Sequence, residues 1–271
     1  MSQASAPSDQ PMPDDGVKVI PAATLVIFRH ARDHQGARCD APPQLLFVQR
    51  SREMRFAGGA AVFPGGRVDP ADRELATRLL PAMPLEMAAA RIAAIRETLE
   101  ETGLAIAVER PVSAAEAREA RQLLFEDGRL ASVLERFGWT LSPQSLAFFA
   151  HWCPLWEGAF DTRFFITDLG TGAVDVTVDA TENSRLFWAS AAEALAMADR
   201  GEISVIFPTR RNLERLALYA SHEEALAALA RHPQRRIHPQ VEQREDGEWL
   251  TIPDDLGYPV LGEPKANAQR G

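Results

Sequence analysis

The chain has 271 residues, 46% of them apolar and 25% charged, and a formal net charge of −9 from 29 basic and 38 acidic side chains. These are values of a soluble globular protein of one or two domains; they exclude a wholly disordered chain, a collagen and, with Cys39 and Cys153 the only thiols, a disulfide scaffold. The acidic balance argues against a nucleic-acid partner, and the longest strongly apolar stretch, 22–28, falls short of the roughly 18 residues a membrane helix needs.

Residues 1–16 are rich in Ser, Pro, Asp and Gln without an apolar stretch, so a disordered tail over 1–17 is expected rather than a signal peptide. The first folded segment is expected over 18–30, where Thr24-Leu25-Val26-Ile27-Phe28 reads as a buried strand. A polar loop follows over 31–43, then strands over 44–49 and 60–63, after which Pro64-Gly65-Gly66 breaks the chain. Residues 84–103 read as a helix, since Ile92, Ile95 and Leu99 recur at helical spacing and Gly103 is a natural stop. Next come a strand over 105–109, two short helices over 113–137 parted at Asp127-Gly128, and strands over 146–152, 163–167 and 186–189. Ser190 caps a helix that Gly201 ends, Pro208 opens another reaching 220, and a third spans 223–231. Residues 18–231 form one expected domain; 232–271 hold a hairpin around Asp246-Gly247 and a loose last ten residues.

The helix ending at Gly103 concentrates the chemistry. At about 100° per residue, Glu97, Glu100 and Glu101 share one arc, opposite Ile92, Ile95 and Leu99. Like charges at this spacing cost a few tenths of a kcal/mol per pair and raise each other's pKa. A hard divalent cation, Mg²⁺ or Mn²⁺, relieves both costs. Alone, the run equally describes a solvated acidic face. Upstream, however, Phe63-Pro64-Gly65-Gly66 joins an apolar strand end to two glycines, which let backbone carbonyls approach a metal or ligand closely.

Together, Gly66, Asp72 and the run Arg96-Glu97-Thr98-Leu99-Glu100-Glu101-Thr102-Gly103-Leu104 resemble the Nudix box. The chain departs from that pattern at three points. Asp72 stands where the family usually has Glu, Thr98 replaces an apolar residue, and 23 residues rather than seven separate Asp72 from Arg96. An insertion is therefore expected within 73–89, bulging out as a loop. Arg50-Ser51, Arg55, Gly59 and Phe63-Pro64-Gly65-Gly66 are similar to the signature of the coenzyme A diphosphatase branch, with Val48 in place of its usual Thr. The insertion, Phe160-Asp161-Thr162-Arg163-Phe164-Phe165 and Phe207-Pro208-Thr209-Arg210 resemble the peroxisomal animal members of that branch. Gln269-Arg270-Gly271 is not the Ser-Lys-Leu address, and with two reduced thiols a cytoplasmic location is expected.

The resemblance implies an α/β/α sandwich with a mixed central sheet and helical insertions near 73–89 and 112–140. It implies hydrolysis of a nucleoside diphosphate linked to another moiety. Coenzyme A or an acyl-coenzyme A is the first choice; ADP-ribose and NADH are rivals with the same chemistry, and a non-catalytic nucleotide sensor is the rival of another class. Glu97, Glu100, Glu101 and the backbone around Gly66 would hold the metal, with Glu97 an orienter or base in some members. Arg96 would fix a carboxylate by a forked ion pair. Arg50 and Arg55, with Gly65 and Gly66, would cradle substrate phosphates, and Glu182, in a loop before a strand, would add an acid or base. Asp161 is read as structural, a turn cap or a partner of Arg163, and the six histidines are assigned no role. The expected partner is a small nucleotide diphosphate, with no nucleic acid, no membrane and at most a second copy of the chain.

Overall fold

The computed structural model describes residues 17–30, 41–50, 59–154, 156–169 and 183–268. The expected N-terminal tail, most of the 31–43 loop, Arg55 and Glu182 lie outside the described residues.

The centre is the apolar segment that the sequence marks most strongly. In β1 (Ile20–Arg29), Ala23, Leu25 and Ile27 enter one apolar cluster while Val26 and Phe28 enter another. A strand buried on both faces loses the polar alternation of a half-exposed one. β1 is flanked by β2 (Gln44–Arg50), antiparallel, and by β6 (Phe160–Asp168), parallel from Ile20↔Phe160 to Phe28↔Asp168. The mixed sheet runs β3 (Ala61–Val62), β2, β1, β6, β5 (Ala147–Trp152), β8 (Arg236–Ile237). Off this path, β4 (Gly65–Arg67) pairs with β1, and β7 (Asn183–Ala189) with β2.

One face of the sheet is covered by α2 (Leu85–Thr102), with α1 (Pro70–Leu79), α3 (Ala114–Asp127) and α4 (Leu130–Phe137) supplying Leu75, Leu124 and Val133 to the same cluster. The other is covered by α5 (Ala191–Asp199), α6 (Phe207–Leu216) and α7 (His222–Leu229), through Ala194, Leu213 and Ala225. This is the α/β/α sandwich. No described helix is long and apolar enough to cross a membrane.

The helix stops act as expected. Gly103, at φ 76°, closes α2 by donating its N–H to the Leu99 carbonyl, and Gly128, at φ 70°, separates α3 from α4. Four expectations are corrected. Pro64 bends the chain, but Gly65 and Gly66 then continue as β4, because β1 offers them a partner edge. The insertion is helical, as the resemblance implied, and not a bulging loop: Asp69-Pro70 opens α1, and α2 begins at Leu85. The 105–109 segment forms no strand, only a single bridge, Val108↔Leu141; Ala107 takes φ 58°, which interrupts an extended run. The C-terminal hairpin, β9 (Gln240–Arg244) and β10 (Gly247–Thr251), gains a third strand, β11 (Gly262–Pro264), before α8 (Lys265–Ala268), so the last ten residues are not uniformly loose.

Candidate active site

Two glycines set the distance between the sheet and α2. β4 places Gly65 opposite Thr24 and Gly66 opposite Ala23. A Cβ on Gly65 would stand 2.3 Å from the Ala23 carbonyl oxygen and 2.7 Å from Thr24 Cα, backbone atoms that cannot step aside. A Cβ on Gly66 would stand 2.3 Å from Glu97 Oε1. Glu97 therefore occupies the volume a larger residue would fill. One position along, the Gly65 N–H donates to Glu101 Oε2 at 2.9 Å.

Arg96 is the hub of the acids. It is 4% exposed, and Asp72 1%. Its Nε and Nη2 donate to Asp72 Oδ1 and Oδ2 at 2.9 and 3.0 Å, a forked pair, and Nη2 also donates to the Arg67 carbonyl at 2.8 Å. Glu97 Oε1 lies 3.0 Å away, Glu100 Oε2 3.2 Å and Asp69 Oδ2 3.5 Å. Burial alone would pull the guanidinium's pKa down; the Asp72 bond and the charges of Glu97, Asp72 and Asp69 outweigh it and hold it above the ordinary value. Asp72 has a second duty, accepting the Asp69 N–H at 2.9 Å at the start of α1. The forked partner of Arg96 is thus set by the helix that fills the insertion.

Four carboxylates around one guanidinium leave the site strongly negative. Glu97 registers this: burial, opposed by Arg96 and reinforced by Glu100, pushes its carboxyl up to about 7. Arg96 alone therefore does not offset the burial of this carboxylate. The donors are carboxylate and carbonyl oxygens, the ligands hard divalent cations prefer. In chemistry and charge the residues fit such an ion. In the conformation seen Glu97 and Glu100 turn to Arg96 and Glu101 to Gly65, and among the described residues no three His, Cys, Asp or Glu side chains converge as a ready ligand shell.

No protein-family model matches the chain. It is 27% identical over 234 residues to the acyl-coenzyme A diphosphatase NUDT19 of Gallus gallus, across 66% of this chain. The match spans 62% of that relative's length. Among solved structures, a NUDIX hydrolase from Alicyclobacillus acidocaldarius superposes with a TM-score of 0.62 at 26% identity, over 78% of this chain and 96% of that one. The chain has the Nudix fold. It resembles the coenzyme A diphosphatase branch.

The remaining candidates are placed less completely. Arg50 ends β2, half-buried, its N–H donating to the Ala60 carbonyl at 2.9 Å where β2 meets the strand leading to the glycines. Arg55 and Glu182 lie outside the described residues. Asp161 is structural in its contacts: Oδ1 is 2.6 Å from His151 Nε2, and Oδ2 is 3.4 Å from Arg163 and 3.5 Å from Arg236. Sequence reasoning missed Asp69: Asp69-Pro70 followed by Asp72 is a local helix-start signal that it did not use, and nothing local marks Asp69 as a neighbour of Arg96.

Proposed function

We propose that this protein is a divalent-metal-dependent diphosphatase acting on a nucleoside diphosphate linked to another moiety. Coenzyme A or an acyl-coenzyme A is the substrate, cleaved to 3′,5′-ADP and phosphopantetheine or its acyl form. The observation that carries the chemistry is the crowd of carboxylates around buried Arg96, pressed against a glycine strand. That the matched relative is an acyl-coenzyme A diphosphatase supports the substrate class.

When bound, Mg²⁺ or Mn²⁺ neutralises diphosphate oxygens and lowers the pKa of the attacking water. Glu97, Glu100 and Glu101 hold the ion together with the backbone at Gly66. Asp72 anchors Arg96, and the Gly65 N–H anchors Glu101, so these carboxylates are oriented by partners outside the ligand set. Arg50 and Arg55 meet the substrate phosphates with guanidinium forks, and Glu182 adds a further acid or base.

The test is a panel of coenzyme A, acetyl-coenzyme A, dephospho-coenzyme A, ADP-ribose and NADH, with products read by mass spectrometry. Coenzyme A thioesters or the free thiol should give the highest kcat/KM. A preference for ADP-ribose overturns the branch assignment and leaves the diphosphatase chemistry. Tight binding of the panel without turnover overturns the enzyme reading in favour of a sensor. In the same assay Arg50→Ala and Arg55→Ala should each lose roughly ten- to a hundredfold in kcat/KM, the value of one charged hydrogen bond.

A further inference from the structure

We infer that Arg121, on α3 in the helical insertion outside the box, is a positioning residue for Glu100 and Glu101; this rests on the proposal that those two carboxylates serve a divalent ion. Arg121 is 9% exposed, and its Nε donates to the Glu100 carbonyl at 2.7 Å and its Nη2 to the Glu101 carbonyl at 3.2 Å. The guanidinium also lies over the Phe125 ring at 5.3 Å.

The need is set by where the acids stand. The last four carbonyls of a helix have no partner within it. In α2 the Gly103 N–H serves Leu99, while the Glu100 and Glu101 carbonyls, in the last four, accept from Arg121 outside the helix. α2 carries no basic residue in its last turn, and its two glutamates there oppose the helix dipole. Such an end frays, and fraying would displace the side chains proposed as ligands. Arg121 brings two donors and a positive charge to the same two residues. Glu101 is then held at both ends, its carbonyl by Arg121 and its carboxylate by the Gly65 N–H. An insertion with no catalytic side chain of its own thus acts on the site through main-chain oxygens.

The experiment compares wild type, Arg121→Met, Arg121→Lys and Leu124→Ala by Mn²⁺ titration without substrate and by amide hydrogen exchange. Leu124 is buried on the same helix, so its truncation loosens α3 without touching the carbonyls. Arg121→Met should weaken Mn²⁺ binding at least fivefold and speed exchange at 100–104 at least tenfold relative to the first half of α2. Arg121→Lys should fall between Met and wild type, and it carries the test should the Met variant not fold. Leu124→Ala should lower Tm yet bind Mn²⁺ within twofold of wild type. A folded Met or Lys variant with wild-type Mn²⁺ affinity overturns the positioning role, as does a Leu124→Ala loss equal to that of Arg121→Met. A wild type that binds no Mn²⁺ overturns the functional proposal itself, and the role of Arg121 with it.

Discussion

Gly66 and Glu97 compete for one volume, and Gly65 and Ala23 for another, with different consequences. Glu97 presents the far end of a flexible side chain, which can swing away. Gly66→Ala should therefore fold with Tm near wild type while displacing the carboxylate, and kcat should fall at least tenfold. Gly65→Ala meets backbone instead and should lose stability, about 1–3 kcal/mol, the usual cost of overpacking. Thermal melts and kcat on the two variants separate the cases. Asp72→Asn removes one charge from a pair whose members are 4% and 1% exposed. Arg96 keeps Glu97, Glu100 and Asp69 as countercharges, so the cost should be that of one charged hydrogen bond, about 1.5–3 kcal/mol by urea unfolding. At this scale the sequence was legible where partners are three or four residues apart, as with Glu97, Glu100 and Glu101. The Arg96–Asp72 fork spans 24 residues, and the Arg121 contacts 20 and 21. Periodicity carries no signal for such pairs; only the box resemblance pointed to Asp72.

Among the elements, α2, α3 and α5 were legible because their ends are written locally. Ser113 accepts the Glu116 N–H, Ser190 the Glu193 N–H, and Gly103 and Gly128 take the left-handed stops. Strands depend on neighbours the sequence does not name. Gly65-Gly66 became a strand because β1 had an edge to offer, and 105–109 did not because Ala107 turns away from extended backbone. A polar knot joins β5, β6 and β8, where His151, Asp161 and Arg236 meet. Burial pushes the His151 imidazole down, more than its bond to Asp161 restores. Burial alone would raise Asp161; His151, Arg163 and Arg236 outweigh it and hold the carboxyl well below the usual range. Below about pH 6.5 the unfolded histidine takes a proton that the folded one resists, so stability falls as pH falls. The Asp161 contribution persists above about pH 4 and is lost below it. Urea unfolding at pH 7, 6 and 5 should show declining stability, with a flatter decline in His151→Gln. An equal slope in that variant removes His151 as a cause.

For the whole molecule, the three layers were implied by the box resemblance, and the apolar run of β1, covered on both faces, agrees with them. The third C-terminal strand was not legible, since Gly262-Glu263-Pro264 has neither the composition nor the length of a strand and pairs only because β10 is there. Charge at this scale returns to the chemistry. A chain of net charge −9 that crowds carboxylates into one site would repel an anionic diphosphate unless a cation intervenes. The most direct test is the rate of 3′,5′-ADP release from coenzyme A in excess chelator, before and after Mg²⁺ or Mn²⁺ is restored. The account predicts no release with chelator and full recovery with metal, with Glu100→Gln and Glu101→Gln folded, at or above wild-type Tm, and slowed by about two orders of magnitude or more. Undiminished release in excess chelator would contradict it.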